Sequence, residues 1–206
     1  MNIIFDIGRV LSSFRWRECC EDLGFTAETV ESFGSRLVNN PRWNGFDLSI
    51  EDPKVLIEKY AELFPDHKEE YKLFWENTDN MVDQYGYSEN WLKTLKNRGH
   101  RIYLLSNYPE FMFKSHSRKW GFLKYTDGRT VSYEQHIMKP DPRIYQLLID
   151  RYSLDPSECV FTDDRPENIE GAENLGIHGI LFEGYEKTSA ALDKYIDSFE
   201  KTNKNI

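Results

Sequence analysis

The stretch Cys159-Val160-Phe161-Thr162-Asp163-Asp164 decides how this chain folds. A short apolar run without polar alternation suits a strand buried on both faces of a parallel sheet. It ends on two adjacent acids, a local charge problem that a strand end facing a ligand can resolve. Pro166 then opens a helical pattern that runs to Leu175 and stops at Gly176, with proline in the first turn and glycine after the last.

The same grammar recurs outward from this unit. Asn2-Ile3-Ile4-Phe5 runs into Asp6, and Arg101-Ile102-Tyr103-Leu104-Leu105 runs into Ser106-Asn107. Arg129-Thr130-Val131-Ser132 is a weaker run, and His178-Gly179-Ile180-Leu181-Phe182 precedes Glu183-Gly184. Helical patterns lie between them: Ser88 to Lys96 with Ser88 as the expected cap, Pro109 to Trp120, Pro142 to Tyr152, and a tail carrying Leu192, Tyr195, Ile196 and Phe199. This rhythm predicts an α/β fold, a doubly wound Rossmann-like parallel sheet with right-handed crossovers. Residues 15–86 interrupt it, far longer than the ~30 residues of a whole βαβ unit. Helical patterns at 15–23, 26–37, 49–64 and 66–77, with Trp43-Asn44-Gly45-Phe46-Asp47 as a break, predict a helical insertion after the first strand. Lys201 to Ile206 is expected to fray.

Composition narrows the class of partner. The 206 residues carry a net charge of -9 and no long Lys/Arg run, which disfavours nucleic acid. No apolar run is long enough for a bilayer, and Met1 enters an apolar strand directly, so neither a membrane span nor a signal peptide is expected. Cys19, Cys20 and Cys159 lack metal-ligand or disulfide spacing; they predict free, buried thiols and a cytoplasmic protein. Oligomeric state is left open, a monomer being the simpler expectation.

In an open α/β sheet, ligands bind at the carboxyl ends of the strands. Asp6, Ser106, Asn107, Asp163 and Asp164 should therefore converge. Three carboxylates in one crevice call for a cation, and hard oxygen donors suit Mg²⁺. A hydroxyl, an amide and Lys139 beside such a centre suit a phosphoryl dianion. Each residue alone has a plainer reading: Asp6 as a turn residue, Ser106-Asn107 as a helix cap, Lys139-Pro140-Asp141-Pro142 as an exposed helix entry. Their joint order on the right elements favours a site.

These segments resemble the haloacid dehalogenase-like hydrolases. Ile3 to Leu11 looks like the family's first motif, Leu104-Leu105-Ser106-Asn107 its second, and Lys139 to Tyr145 its third. Val160 to Ile169, with Gly171-Ala172 and Leu175-Gly176-Ile177, looks like the fourth. The resemblance implies a core of residues 1–14 and 87–206 and a helical cap of 15–86. It implies a phosphatase in which Asp6 is the nucleophile and Asp164 a direct Mg²⁺ ligand, with Asp163 reaching the metal through water. Gly8 would offer the metal its backbone carbonyl. Ser106, the amide of Asn107 and Lys139 would hold a small substrate's phosphoryl oxygens. Position 8 departs from most phosphatases of the family, which carry there an acid that protonates the leaving oxygen. Gly8 is similar to the bacterial branch that includes sugar-1-phosphate phosphatases, and it predicts a leaving oxygen that departs with little protonation. Two other readings compete: a metal-independent dehalogenase, and a non-catalytic phosphate-binding domain. Trp16, Tyr71 and Trp75 are expected in the core, and His116 and His136 at the surface or in loops; Trp43, Phe46 and Asp47 are within reach of the crevice, with an aromatic loop packed on the insertion as their favoured role.

Overall fold

In a computed structural model, residues 1–203 are described. Five strands form one parallel sheet: β1 (Asn2–Phe5), β2 (Arg101–Ser106), β3 (Gly128–Val131), β4 (Cys159–Asp163) and β5 (His178–Leu181), ordered β3-β2-β1-β4-β5. Chain order reverses at β1, which pairs with β2 on one side and β4 on the other. That reversal opens a crevice at the carboxyl ends of these three strands. The residues that end them, Asp6, Ser106 and Asp163, are thus brought to one place.

The strands read as apolar runs because both faces are covered. Ile3, Phe5, Ile102, Leu104 and Val160 share one buried cluster. Ile4, Tyr103, Leu105, Cys159 and Phe161 share the other. The helices are α1 (Trp16–Asp22), α2 (Ala27–Phe33), α3 (Trp43–Leu48), α4 (Pro53–Ala61), α5 (Lys68–Glu76), α6 (Ser88–Asn97), α7 (Glu110–His116), α8 (Ser132–Gln135), α9 (Pro142–Tyr152), α10 (Pro166–Glu173) and α11 (Tyr185–Asn203). Residues of α9 and α10 cover the second cluster, while α6, α7, α11 and the helices between β1 and β2 meet at the first. Among the described residues no helix is long and apolar enough to cross a membrane.

Several local expectations change. The segment expected as a break, 43–47, lies in α3. Gly45 is there for proximity rather than for a turn, since a Cβ on it would sit 3.4 Å from Leu56 of α4. Between 26 and 37, α2 gives way at Gly34 to a π-helical turn through Val38. The helix expected from Pro109 to Trp120 ends at His116 and continues as a short 3₁₀ turn, Ser117–Lys119. Ser88 does not cap α6; it is the helix's first residue, and its hydroxyl donates to the Leu11 carbonyl at 2.6 Å. Of the tail expected to fray, the helix reaches Asn203, and 204–206 lie outside the described residues. The three cysteines are free and buried, as expected.

Candidate active site

Asp6 leaves β1 still held in register. Its N–H donates to the Thr162 carbonyl at 2.9 Å, which sets its carboxylate beside the β4 acids. Ligand oxygens of Asp6, Asp163 and Asp164 lie within 4.8 Å of one another. Between the acids stands Lys139, 1% exposed, whose Nζ is 2.9 Å from Asp6 Oδ1 and 2.5 Å from Asp163 Oδ2. It donates to Asp163 and to the Leu105 carbonyl at 2.8 Å, while Asp6 sits beside it as an ion pair whose Oδ1 accepts no hydrogen bond among the described residues.

The motif that resembled a helix entry therefore divides at its prolines. Asp141 caps α9 by accepting from the Arg143 N–H, whereas Lys139 points inward. What holds the Lys139 backbone is Asn107: its Oδ1 accepts from the Lys139 N–H at 2.8 Å and its Nδ2 donates to the Lys139 carbonyl at 3.0 Å. The Asn107 carboxamide is thus a clamp on Lys139, and its backbone N–H is available to a ligand. Neither Ser106 nor Asn107 caps α7, whose cap position is Pro109 without a side-chain bond. Ser106 is buried with its Oγ unpartnered among the described residues. An orphaned buried hydroxyl costs about 1–3 kcal/mol, which a bound acceptor would relieve.

Asp163 and Asp164 differ sharply in surroundings. Asp163 is fully buried and accepts from Lys139, from the Arg165 N–H at 2.9 Å and from Asn168 Nδ2 at 3.0 Å. Asp164 faces the cleft, with Arg9 at 3.7 Å as its nearest cation. Burial, then the neighbouring Asp163 charge, raises the Asp164 carboxyl above the usual range. Burial is also the main reason Asp6 is pushed up to about 7, with Asp163 and Asp164 adding to the rise and Lys139 opposing it. Lys139 itself is held above the ordinary lysine range: burial alone would lower it, but Asp163 and Asp6 outweigh that. A site whose Asp6 and Asp164 carboxyls are raised by burial and then by neighbouring acids suits a divalent cation, and the three clustered acids offer hard oxygen donors.

A cleft of about 640 Å³ lies over this cluster, with Asp6, Gly8, Asn107, Lys139 and Asp164 on its floor. Asp163 and Ser106 sit behind that floor and are not among its lining residues. The opposite wall comes from the insertion. Trp43 and Asp47 of α3 line it, whereas Phe46 of the same helix is buried against Trp75, with ring centroids 4.8 Å apart. The expected aromatic loop is thus a helix whose Phe46 packs inward and whose Trp43 and Asp47 face the cleft. His116 is not a surface residue. It is fully buried, its Nε2 donating to the Thr78 carbonyl at 3.0 Å and its Nδ1 accepting from the Tyr108 hydroxyl at 2.8 Å. His136 is exposed in a loop, as expected.

Two residues at the site escape the sequence reading, and a third, Asp47, is assigned by it to packing. Asn168 lies in the quoted fourth motif, in the first turn of α10 just after β4, and that placement is its available signal. Arg9 has a left-handed backbone (φ 60°), which sequence does not announce for an arginine. The sequence puts Asp47 within reach of the crevice but favours packing, and it is the docking of the insertion that turns it to the cleft.

Comparison with known proteins agrees with this architecture. The family model of haloacid dehalogenase-like hydrolases matches residues 5–176. Among curated relatives, acyl-CoA dehydrogenase family member 10 of Mus musculus is 57% identical over 44 residues, 21% of this chain and 4% of that protein. The chain thus spans only a small part of that relative. A phosphatase of Mycobacterium tuberculosis is 25% identical over 194 residues, covering 87% of this chain and 85% of its own. Among solved structures, a HAD family enzyme from Bacteroides thetaiotaomicron superposes with a TM-score of 0.72 at 22% identity, over 93% of this chain and 97% of that one. The same enzyme has been solved with magnesium and inorganic phosphate. Dehalogenases share the fold as well.

Proposed function

The chain belongs to the haloacid dehalogenase-like hydrolases, and on that premise we propose that it is a Mg²⁺-dependent phosphatase of a small phosphomonoester, with a sugar phosphate as the favoured class. Residues 15–86 form its cap, and residues 1–14 with 87–206 its catalytic core. The cytoplasm is the proposed compartment, on the strength of three free, buried cysteines.

The observation that carries the reading is the pairing of three clustered carboxylates with a single buried ammonium. Such a floor repels a phosphate until a cation joins it. Asp6, Asp164 and the Gly8 carbonyl would hold Mg²⁺, with Asp163 reaching it through water; bound there, the ion would neutralise the acids and polarise the phosphoryl group. Asp6 is the nucleophile that becomes an aspartyl phosphate, which splits one difficult displacement into two easier ones. As its negative charge passes to the phosphoryl group, the Lys139 ammonium now paired with Asp6 Oδ1 becomes available to a phosphoryl oxygen. The unpartnered Ser106 hydroxyl and the Asn107 N–H supply two further donors. A metal-independent dehalogenase fits less well, because an uncompensated acid cluster would oppose a carboxylate substrate.

The test is phosphate release from sugar-1-phosphates, alkyl phosphates and an aryl phosphate, with Mg²⁺ and with a chelator. Release is expected only with the metal. Equal release under chelation, or chloride release from 2-chloropropionate without phosphate release from any ester, would sink the proposal.

A further inference from the structure

A phosphatase that works through Asp6 has to protonate a poor leaving oxygen such as an alkoxide, and with Asp164 taken by the metal in that reading the core wall of the cleft has no group free to do so. Gly8 carries no side chain, and a Cβ built on it would meet nothing within 4 Å. Lys139 is ion-paired with Asp6 and Asp163, which outweigh burial, hold its ammonium above the ordinary lysine range and so keep its proton. Arg9 and Arg165 line the cleft but do not give up protons in proteins. The Tyr108 hydroxyl is turned onto the buried His116.

The insertion wall supplies what the core lacks. Among the described residues 15–86 that line the cleft, Asp47 alone has an ionisable side chain. It lines the cleft while only 8% exposed, so little of it meets bulk water. Its helix end is fastened to the core at three points. The Ser132 hydroxyl donates to the Asp47 carbonyl at 2.6 Å, and His136 Nδ1 donates to the Leu48 carbonyl at 2.8 Å. The Ser49 hydroxyl accepts from the Glu110 N–H at 3.1 Å. Three hydrogen bonds to neighbouring residues of one short helix fix the acid above the floor instead of leaving it on a mobile cap.

We infer that Asp47, carried on the insertion, is the proton donor to the leaving oxygen and takes the place of the missing acid at position 8. The inference rests on the phosphatase reading. In the first step an Asp6 carboxylate oxygen bonds to phosphorus and the bond from phosphorus to the ester oxygen breaks. The electron pair leaves on that oxygen, which receives the Asp47 proton and departs as the alcohol. In the second step water bonds to phosphorus and gives its proton to the Asp47 carboxylate. The acyl phosphate bond breaks, inorganic phosphate leaves and both carboxyl groups return to their starting states. Burial first, then the Asp6 charge, lifts the Asp47 carboxyl to about 7 against the opposing pull of Arg165, Lys139 and the Trp43 indole. An acid in that range both gives and takes a proton near neutrality.

The experiment compares wild type and Asp47→Asn on two esters with Mg²⁺: an alkyl phosphate, whose alkoxide leaves poorly, and p-nitrophenyl phosphate, whose phenolate needs no proton. Asp47→Asn is expected to slow alkyl ester turnover by about 10²–10⁴-fold. With the aryl ester it should release a burst of nitrophenolate stoichiometric with enzyme, because the first step no longer needs the acid while the second has lost its base. Slowing of both esters by one common factor without a burst, or a rise in KM alone, would overturn the inference and make Asp47 a substrate-binding residue. Should Asp47→Asn fail to fold, Asp47→Ser is read by the same criteria. Absence of phosphate release from either ester by the wild type would instead remove the phosphatase reading, and the inference with it.

Discussion

The sheet and the insertion solve the problem of burial in opposite ways. The strands are filled with Ile, Val, Leu and Phe, and hydrogen bonds between neighbouring strands fix where each one ends. The insertion has no such ladder. Its α-helices, α1 to α5, are six to nine residues long, too short to be stable alone. Rings hold them together: Phe33 touches Phe25, Phe64, Tyr71 and Phe74, and Trp75 gathers Trp43, Phe46, Tyr71, Phe74 and Phe111. Aromatic side chains bury large areas and tolerate varied angles, so they can assemble short helices without fixing a register. The difference teaches where each kind of precision resides. Groups that must meet within a few tenths of an ångström sit on strand ends, while the insertion contributes one acid that needs three extra hydrogen bonds to be held in place.

The largest effect should come from the strand side. Asp6→Asn preserves shape but replaces a carboxylate with a far weaker nucleophile, so phosphatase turnover should fall by about 10³-fold or more. Thermal unfolding of the variant should still be cooperative, and its Tm should not fall by much, because an amide no longer needs a compensating charge. A folded variant that keeps more than a few per cent of wild-type turnover would break the assignment of chemistry to the strand ends.

A smaller effect separates two neighbours on the same strand end. Asp163 is enclosed by Lys139, Asn168 and the Arg165 N–H, so Asp163→Ala strips a buried ammonium of a partner and should destabilise the fold by about 3–5 kcal/mol. Asp164 faces the cleft, so Asp164→Ala should cost little stability but weaken the apparent Mg²⁺ affinity more than Asp163→Ala does. Denaturant melts and activity titrated against Mg²⁺ read the two quantities independently. The reverse ranking in both would show that the buried acid, not the exposed one, faces the metal.

How far the sequence could be read follows the same division. Parallel strands buried on both faces write themselves as apolar runs ending in polar residues, so the sheet, the switch at β1 and the convergence of Asp6, Ser106 and Asp163 were legible. The insertion was legible only as helical. Gly45 resembles a break because close helix packing and turns use the same residue, and Ser88 resembles a cap because its hydroxyl bond to Leu11 is long-range. The Asn107 clamp on Lys139 was hidden for a similar reason: the residue was identified, but which of its groups is already spent depends on a partner 32 positions away. Asp47 shows the limit most clearly. Its neighbours Trp43 and Phe46 are ordinary packing residues, and only the docking of α3 on Ser132, His136 and Glu110 turns the acid toward the cleft.

The smallest predicted effect measures what that docking costs. Asp47 has a carboxyl raised from 3.8 to about 7 in the folded protein, chiefly by burial and then by Asp6. A folded-state value above the unfolded one means that the native state binds the proton more tightly. Its stabilising contribution is therefore fully present below about pH 4 and is lost as the pH rises toward 7, above which the loss is constant. Asp47→Asn cannot titrate at this position, while Asp6 and the other acids titrate in both proteins and largely cancel. The difference in unfolding free energy, variant minus wild type, should thus increase between pH 4 and 7 and then level off. The shift would be worth up to about 4 kcal/mol if the cleft were dry. With water able to enter a cleft of about 640 Å³, roughly 2 kcal/mol is the expected rise. Denaturant unfolding in the presence of a chelator, at steps of pH across that range, measures it without interference from bound cation. A difference that stays flat would mean that Asp47 keeps its charge in the native state, and the insertion would then hold an anion above the strand-end acids instead of a proton donor.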